Sequence, residues 1–325
     1  MVSSDFPSMR RSHRTAIFGA LLAIAASAAT AHAQTMGFAT LPPGTLNHTT
    51  ASAIAKVLKD KAGMNMLVQP LAGDQVIVPM VGGGEAEIGI TNSPEFANAF
   101  ESGKQPGLRM IGAAHTLQTP FFVRKASEFK TIADMKGKRV TTGYSAMRVI
   151  DTMTQAMLAT AGLTEKDIVP VPVPNVVRSA DAFLSGSADM IFFAFGAPKV
   201  REVDATVGGI RVLEINEAGM DAARKVSKYG YLTQVNPGPI FVGVDKPMKV
   251  YSFDNVLFTN AKVSDEVIYK IIDTLIANKP DLVAIQPVLG AFSGQGLYKQ
   301  YDGLPYHPGA LKYFKEKNIE ARALQ

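Results

Sequence analysis

From Met36 onward, short apolar runs rich in β-branched and aromatic residues alternate with amphipathic helical stretches. That alternation admits few folds, because parallel strands cannot be joined by hairpins; each crossover needs a helix, and the helices end up covering the sheet. Met36 to Leu41 reads as a strand broken at Pro42-Pro43-Gly44, and residues 47–61 place Ala51, Ile54, Ala55 and Leu58 on one helical stripe, with Asn47 or Thr49 as N-cap and Gly63 closing it. Met64 to Gln69, Glu87 to Thr91 and Leu108 to Ala113 continue as strands. Leu71 to Gln75 is a loop into a poorly formed helix containing Pro79, and Ser93-Pro94-Glu95 starts another helix with Ser93 as cap.

The pattern then restarts. Lys138 to Thr142 is a strand, Arg148 to Ala161 a helix ended by Gly162, Ile168 to Val173 a strand, Pro174-Asn175 to Leu184 a helix, and Met190 to Ala194 a buried strand. Gly84-Glu-Ala-Glu87 before Ile-Gly-Ile is echoed by Gly186-Ser-Ala-Asp189 before Met-Ile-Phe-Phe, which points to two related halves. With 325 residues, 47% hydrophobic and 19% charged, the chain has the apolar content for two cores.

The first residues are an address. Arg10, Arg11 and Arg14 form a positive n-region, Ala16 to Ala29 is uncharged and apolar, and Ala31-His32-Ala33 fits the small-x-small cleavage rule. Residues 1–33 therefore read as a signal peptide, giving an exported, periplasmic protein. Intact mass of the exported form is expected to begin at Gln34; a mature species retaining Arg10 and Arg11 would overturn this.

Several chemistries drop out. The chain has no Cys, which excludes disulfides, Cys-based metal sites and a cysteine nucleophile, and no Trp, a common stacking platform for sugars or bases. Of the net charge of +5, residues 1–33 contribute +2, and the remaining +3 forms no run suited to a row of phosphates, so no nucleic-acid partner is expected. Past residue 33 only His48, His115 and His307 remain, without metal-ligand spacing, and no Gly-x-Ser-x-Gly elbow occurs. No metal, cofactor or catalytic residue is expected.

Gly84-Glu-Ala-Glu-Ile-Gly-Ile90, Thr131-Ile-Ala-Asp-Met-Lys-Gly-Lys-Arg-Val140, Ala161-Gly-Leu163, Ser187-Ala-Asp189 through Phe195-Gly-Ala-Pro198, and Leu304-Pro-Tyr-His-Pro-Gly309 occur in order. Together they resemble the solute-binding subunits of TAXI-type TRAP transporters. The resemblance implies an α/β fold of the type II periplasmic-binding kind, with two α/β lobes, hinge strands and a ligand cleft between them. Lobe 1 would comprise residues 34–122 and 255–325, and lobe 2 residues 123–254. The implied partners are a small organic acid or amino acid and, transiently, the TRAP membrane subunits. The chain departs from the family at Pro42-Pro-Gly-Thr-Leu-Asn-His48 and at Ala72-Gly-Asp-Gln-Val-Ile77, where Asp74 stands in place of Ser and Ile77 in place of Asn. Ligand identity is therefore not carried over.

In open α/β sheets ligands sit beyond the carboxyl ends of strands, where loops run into helix N-termini. This selects Thr45, Asn47 and His48, then Asp74 and Gln75, then Asn92 and Ser93 in the first half; Tyr144, Ser145 and Arg148, then Asn175 and Arg178, then Phe195 and Gly196 in the second; and His115 before the hinge-like run. Arg148 and Arg178 are candidate carboxylate anchors, since a guanidinium fork matches both oxygens. Asn92, Ser93 and Asn175 read as caps or ligands, and Tyr144 and Phe195 as cleft or core. Asp74 reads either as the cap of a helix starting at Gln75 or as acceptor for a ligand's amine or hydroxyl, which would favour an amino or hydroxy acid over a dicarboxylate. A periplasmic enzyme on the same fold, and a sensory or surface-antigen protein that binds without transport, are the alternatives.

Overall fold

The computed structural model describes residues 35–324, so the signal peptide expected at residues 1–33 lies outside the described residues. The first half runs β1 (Met36–Thr40), α1 (Leu46–Ala62), β2 (Met66–Pro70), α2 (Asp74–Gly83), β3 (Ile88–Asn92), α3 (Ser93–Glu101) and β4 (Leu108–Gln118). The second runs β5 (Phe121–Arg124), β6 (Arg139–Thr142), α4 (Arg148–Thr160), β7 (Val169–Pro172), α5 (Val176–Leu184), β8 (Met190–Phe192), α6 (Pro198–Val207), β9 (Ile210–Val212) and α7 (Met220–Val226). The chain returns through β10 (Tyr231–Val235) and β11 (Met248–Asn260) and ends in α8 (Asp265–Ala277), α9 (Lys279–Ile285), α10 (Gly294–Leu297) and α11 (Pro308–Glu316).

In the first lobe β1 lies parallel between β2 and β3, and antiparallel β11 follows β3. In the second, β6 pairs parallel with β7, and antiparallel β5 joins β8 and β9. The units β1-α1-β2-α2-β3 and β6-α4-β7-α5-β8 thus repeat one plan. The echoed turns have matching work: the Glu87 carboxylate accepts the backbone N–H of Gly37 in β1 at 2.5 Å, and Asp189 accepts that of Arg139 in β6 at 2.8 Å. Each turn acid ties the entry of the third strand to the first strand.

The hinge is built from two long strands. β11 pairs antiparallel with β4 from Ser252–Gln118 to Asn260–Leu108, while its other edge pairs first with β10 and then with β3. The expected lobe boundaries, 122/123 and 254/255, fall inside β5 and β11. A register shift between Asn255 and Val256 leaves Ala114 unpaired, and such bulges re-aim neighbouring side chains. One apolar cluster joins Ile77 and Phe96 of the first lobe, Leu117 and Phe253 of the hinge, and Met147 and Phe183 of the second lobe. Another packs α1 and α8 on the outer face of the first sheet through Ile54, Leu58, Ile268 and Ile272.

Local expectations need four corrections. Thr45 caps α1, accepting from His48 N, because Asn47 is held elsewhere. Asn92 caps α3 through Glu95 N at 2.9 Å, which makes Ser93 the first helical residue. Gly73 is the N-cap of α2, so Asp74 is the helix's first residue rather than its cap. That helix runs unbroken through Pro79; the carbonyl this proline leaves without a helical donor belongs to Gln75, an exposed residue that water can reach.

Candidate functional site

A cavity of about 40 Å³ lies where both lobes meet the hinge, above the roughly 10–15 Å³ that one water needs. Its polar lining is Thr45, Asn47, Asn92 and Thr119, and none of the described residues lining it is charged. The apolar wall comes from both lobes, including Leu41, Met147, Ile150, Phe192 and Phe193, with Leu117 and Phe253 from the hinge.

Helix starts surround it. Thr45 and Leu46 open α1, Asn92 caps α3, Met147 caps α4 and Val176 is the first residue of α5; all of them line the cavity. Each N-terminus carries about half a positive charge. Four of them, two from each lobe, create a positive field around a space with an apolar wall. On that scale the space holds about three waters, room for one small anionic group held by backbone N–H donors and dipoles with a short carbon body against the hydrocarbon wall.

The hinge fixes one polar contact. Asn255 of β11 donates Nδ2 to Asn47 Oδ1 at 3.1 Å and also to His115 Nε2 at 3.1 Å. The opposite ring nitrogen, Nδ1, lies 3.1 Å from the Thr116 carbonyl, so it carries the proton and Nε2 accepts. Burial pushes the His115 imidazole down to about 4, against lesser opposing effects of its backbone bond and Asp254, so the ring is neutral near pH 7. His115 therefore acts two bonds from the cavity, through Asn255 and Asn47.

The lobes are shut on each other by hydrogen bonds to backbone carbonyls. Gln75 N donates to Ala146 O at 3.3 Å, Lys199 N to Gly44 O at 3.1 Å, and Asn175 Nδ2 to Ala72 O at 3.2 Å. Asn175 also caps α5 through Arg178 N, so it serves both as cap and as latch. The loop carrying Ala146 is strained: Tyr144 has φ of 27°, unusual for a bulky residue, while its buried hydroxyl lies 2.7 Å from Thr141 Oγ1 and donates to Ser179 Oγ at 3.3 Å. Burial raises this phenol to about 12.

Of the residues singled out in the sequence, Thr45, Asn47 and Asn92 line the cavity. Asp74, Gln75 and Arg148 line a neighbouring pocket of about 290 Å³ between α2, α3 and the start of α4. Arg178 is not in the cleft; it is exposed and paired with Asp181 of its own helix at 3.1 Å, because its position in α5 points it to solvent. Tyr144 is core, as is Phe195, which packs edge-to-face on Phe122 and Phe241. Ser93 is buried and Ser145 exposed, and His48 is half-buried, with neither serine nor this histidine lining the cavity. Gly196, at φ of 78°, turns the chain after β8, where a Cβ would touch Leu46 of the first lobe at 3.6 Å.

Sequence reasoning missed Thr119 and the apolar wall. Thr119 sits in the link between β4 and β5, and Phe192 and Phe193 read as strand core; only their place at strand ends separates them from ordinary interior residues.

A structure described as a periplasmic transporter matches with a TM-score of 0.59 at 13% identity over 87% of this chain and 92% of that one, which shows a shared fold. The alkanesulfonate-binding protein SsuA from Xanthomonas axonopodis pv. citri, bound to MOPS, aligns with a TM-score of 0.48 at 12% identity over 79% and 80%. Among curated proteins, a putative thiamine biosynthesis protein of Haemophilus influenzae is 30% identical over 119 residues, 35% of this chain and 32% of that protein, so the match spans about a third of that relative. The profile described as the NMT1-like family matches residues 38–317. With the family pattern covering both repeats and the hinge, the chain belongs to the NMT1-like family and has the two-lobed, periplasmic-binding-protein-like fold.

Proposed function

We propose that the protein is a periplasmic solute receptor that closes its two lobes on a small organic acid bearing one negative charge and an apolar body. The observation that carries this reading is the convergence of four helix N-termini, two from each lobe, on one cavity whose described lining holds no charged side chain. The field suits one anion. A second charge would be stranded against hydrocarbon, and burial of an unpaired charge is unfavourable by several kcal/mol or more. Asp74 does not face this cavity, so the amine acceptor expected from the sequence is not supplied there.

Ligand selects the closed state in proportion to its extra affinity for that state, and the latches at Ala146, Gly44 and Ala72 are contacts made only when shut. Delivery to the membrane subunits of a TAXI-type TRAP transporter is the finer form of this proposal, supported by the ordered sequence segments.

A thermal-shift screen of aliphatic and aromatic monocarboxylates, amino acids and dicarboxylates tests the ligand class. Apolar monocarboxylates are expected to raise Tm, by about 2.7 kcal/mol of stabilisation at a hundredfold excess over Kd. Arg178→Ala should leave that shift unchanged. A screen in which dicarboxylates stabilise best, or no acid does, would reject the reading. Uptake by proteoliposomes carrying the TRAP subunits, dependent on this protein, tests delivery; uptake indifferent to its addition rejects it.

A further inference from the structure

Beside the cavity, two carboxylates are buried face to face with the lobe boundary. Asp74, 1% exposed at the start of α2, accepts from Thr91 Oγ1 at 2.7 Å through Oδ1, and its Oδ2 has no hydrogen-bond partner among the described residues. Glu95, 6% exposed in the first turn of α3, accepts from Gln75 Nε2 at 2.9 Å through Oε1, and its Oε2 is likewise unpartnered. Both line the same pocket, and the negative charge of Asp74 bears directly on Glu95.

The two unpartnered oxygens are sealed off from solvent. An ammonium group or a metal ion in the pocket would have no surface of theirs to touch, whereas a proton needs none. A proton taken up by the pair removes one of two buried, incompletely paired charges. The seal comes from the second lobe: the start of α4 supplies Arg148, exposed, and Val149, buried, to the pocket wall. Other groups facing the pair are neutral, namely Thr91 of β3, Gln75 of α2, and Asn98 and Ser102 of α3 and its end. Lys104, with Arg148 the other cation of the pocket, is exposed at its rim, as Arg148 is.

We propose that closure of the lobes takes up a proton on the buried Asp74–Glu95 pair. This rests on the reading of the chain as a receptor that opens and shuts. When the lobes part, α4 withdraws, water reaches both carboxylates, and both ionise as exposed acids do. When they shut, burial and then the charge of Asp74 raise Glu95 to about 8, and burial raises Asp74 to about 6. A raised value in the closed form means that closure is favoured as pH falls below about 8, with the full gain reached near the ordinary carboxylate range, and that the gain is lost as pH rises through 8. Between about 8 and 6, where Glu95 alone takes up its proton, the open-to-closed ratio changes by up to about tenfold per pH unit, and below about 6 Asp74 adds to the gain.

The chain has no cysteine, so Lys56→Cys in α1 and Lys166→Cys after α4, both exposed, accept a pair of spin labels without background. Pulsed electron paramagnetic resonance on ligand-free protein from pH 8.5 to 5 is expected to show a longer and a shorter distance, the shorter gaining as pH falls. Glu95→Gln, a neutral stand-in for the protonated acid, should favour the short distance and flatten the pH response; Asp74→Asn should also flatten it. A wild-type distribution indifferent to pH, or a Glu95→Gln protein that keeps the wild-type response, overturns the proposal. No ligand is added, so failure to bind any carboxylate would count against the receptor's ligand class and leave this result standing.

Discussion

Gly73→Ala is expected to hold the lobes apart and weaken ligand binding by roughly 5- to 150-fold. A Cβ at position 73 would overlap the carbonyl of Ala146, lying 2.7 Å from its carbon, and would crowd the Ala146 side chain at 2.9 Å. The backbone of Gly73, at φ of 173° and ψ of 177°, is ordinary extended chain that alanine adopts without strain. The whole penalty therefore arises between the lobes, at the point where Gln75 N meets Ala146 O. Overpacking of this kind costs about 1–3 kcal/mol, which corresponds to the fold-change above, and since the open form relieves the clash the loss falls on closure and not on folding. Calorimetry with the best acid from the thermal screen should show the weakened affinity, small-angle scattering a larger radius of gyration with ligand present, and denaturation an unchanged stability. Wild-type affinity in the variant would show that the lobes close by another geometry.

Asp254→Ala should be the most damaging substitution in the hinge, lowering stability by about 3–5 kcal/mol. Asp254, 2% exposed on β11, accepts from Lys299 Nζ at 2.6 Å, Tyr301 hydroxyl at 2.5 Å and Tyr231 hydroxyl at 2.8 Å. Burial, reinforced by this carboxylate, holds both phenols well above their ordinary range. These bonds join β11 to β10 and to the segment after α10. Truncation would leave the Lys299 ammonium, 14% exposed, without its partner, the Tyr301 hydroxyl unsatisfied and the Tyr231 hydroxyl with only Thr116 Oγ1 at 3.3 Å. Urea unfolding followed by far-ultraviolet circular dichroism checks this: the midpoint should fall with the slope unchanged, and a loss under about 1 kcal/mol would mean that water replaces the carboxylate.

Much of the architecture was readable in the sequence because it rests on local forces. The 3.6-residue stripe of Ile54, Ala55 and Leu58, the glycines Gly63 and Gly162 that follow α1 and α4, and the short apolar runs of β3 and β8 each act within a few residues. The Gly-x-Ala-acid echo was readable too, and its acids do equivalent jobs in the two lobes. The cap was placed two or four positions late at α1 and one late at α3, since several nearby polar residues can cap and only the side chain's competing partners choose among them.

The candidate site was readable as a set of loops and not as a set of contacts. Thr45, Asn47 and Asn92 were found by their place at strand ends. Arg178 was favoured because a guanidinium at a helix start looks purposeful, yet Asp181 one turn on gives it a local partner. Asp74 looked like a departure that spoke to ligand, whereas Thr91 and Glu95 turn it into a buried pair beside the cavity.

The sequence by itself determined the alternation of strands and helices, their duplication into two halves and the helix starts that would face a cleft. Tertiary structure alone decided which side chains enter that cleft. Asn47 is oriented by Asn255, 208 positions away, and Asn255 by His115, 140 positions away. The apolar wall is made of residues whose patterns match any core strand. Periodicity is set by neighbours along the chain, but the direction of a loop side chain is set by whichever distant partner lowers its free energy most, and that partner is known only once the lobes and hinge are packed.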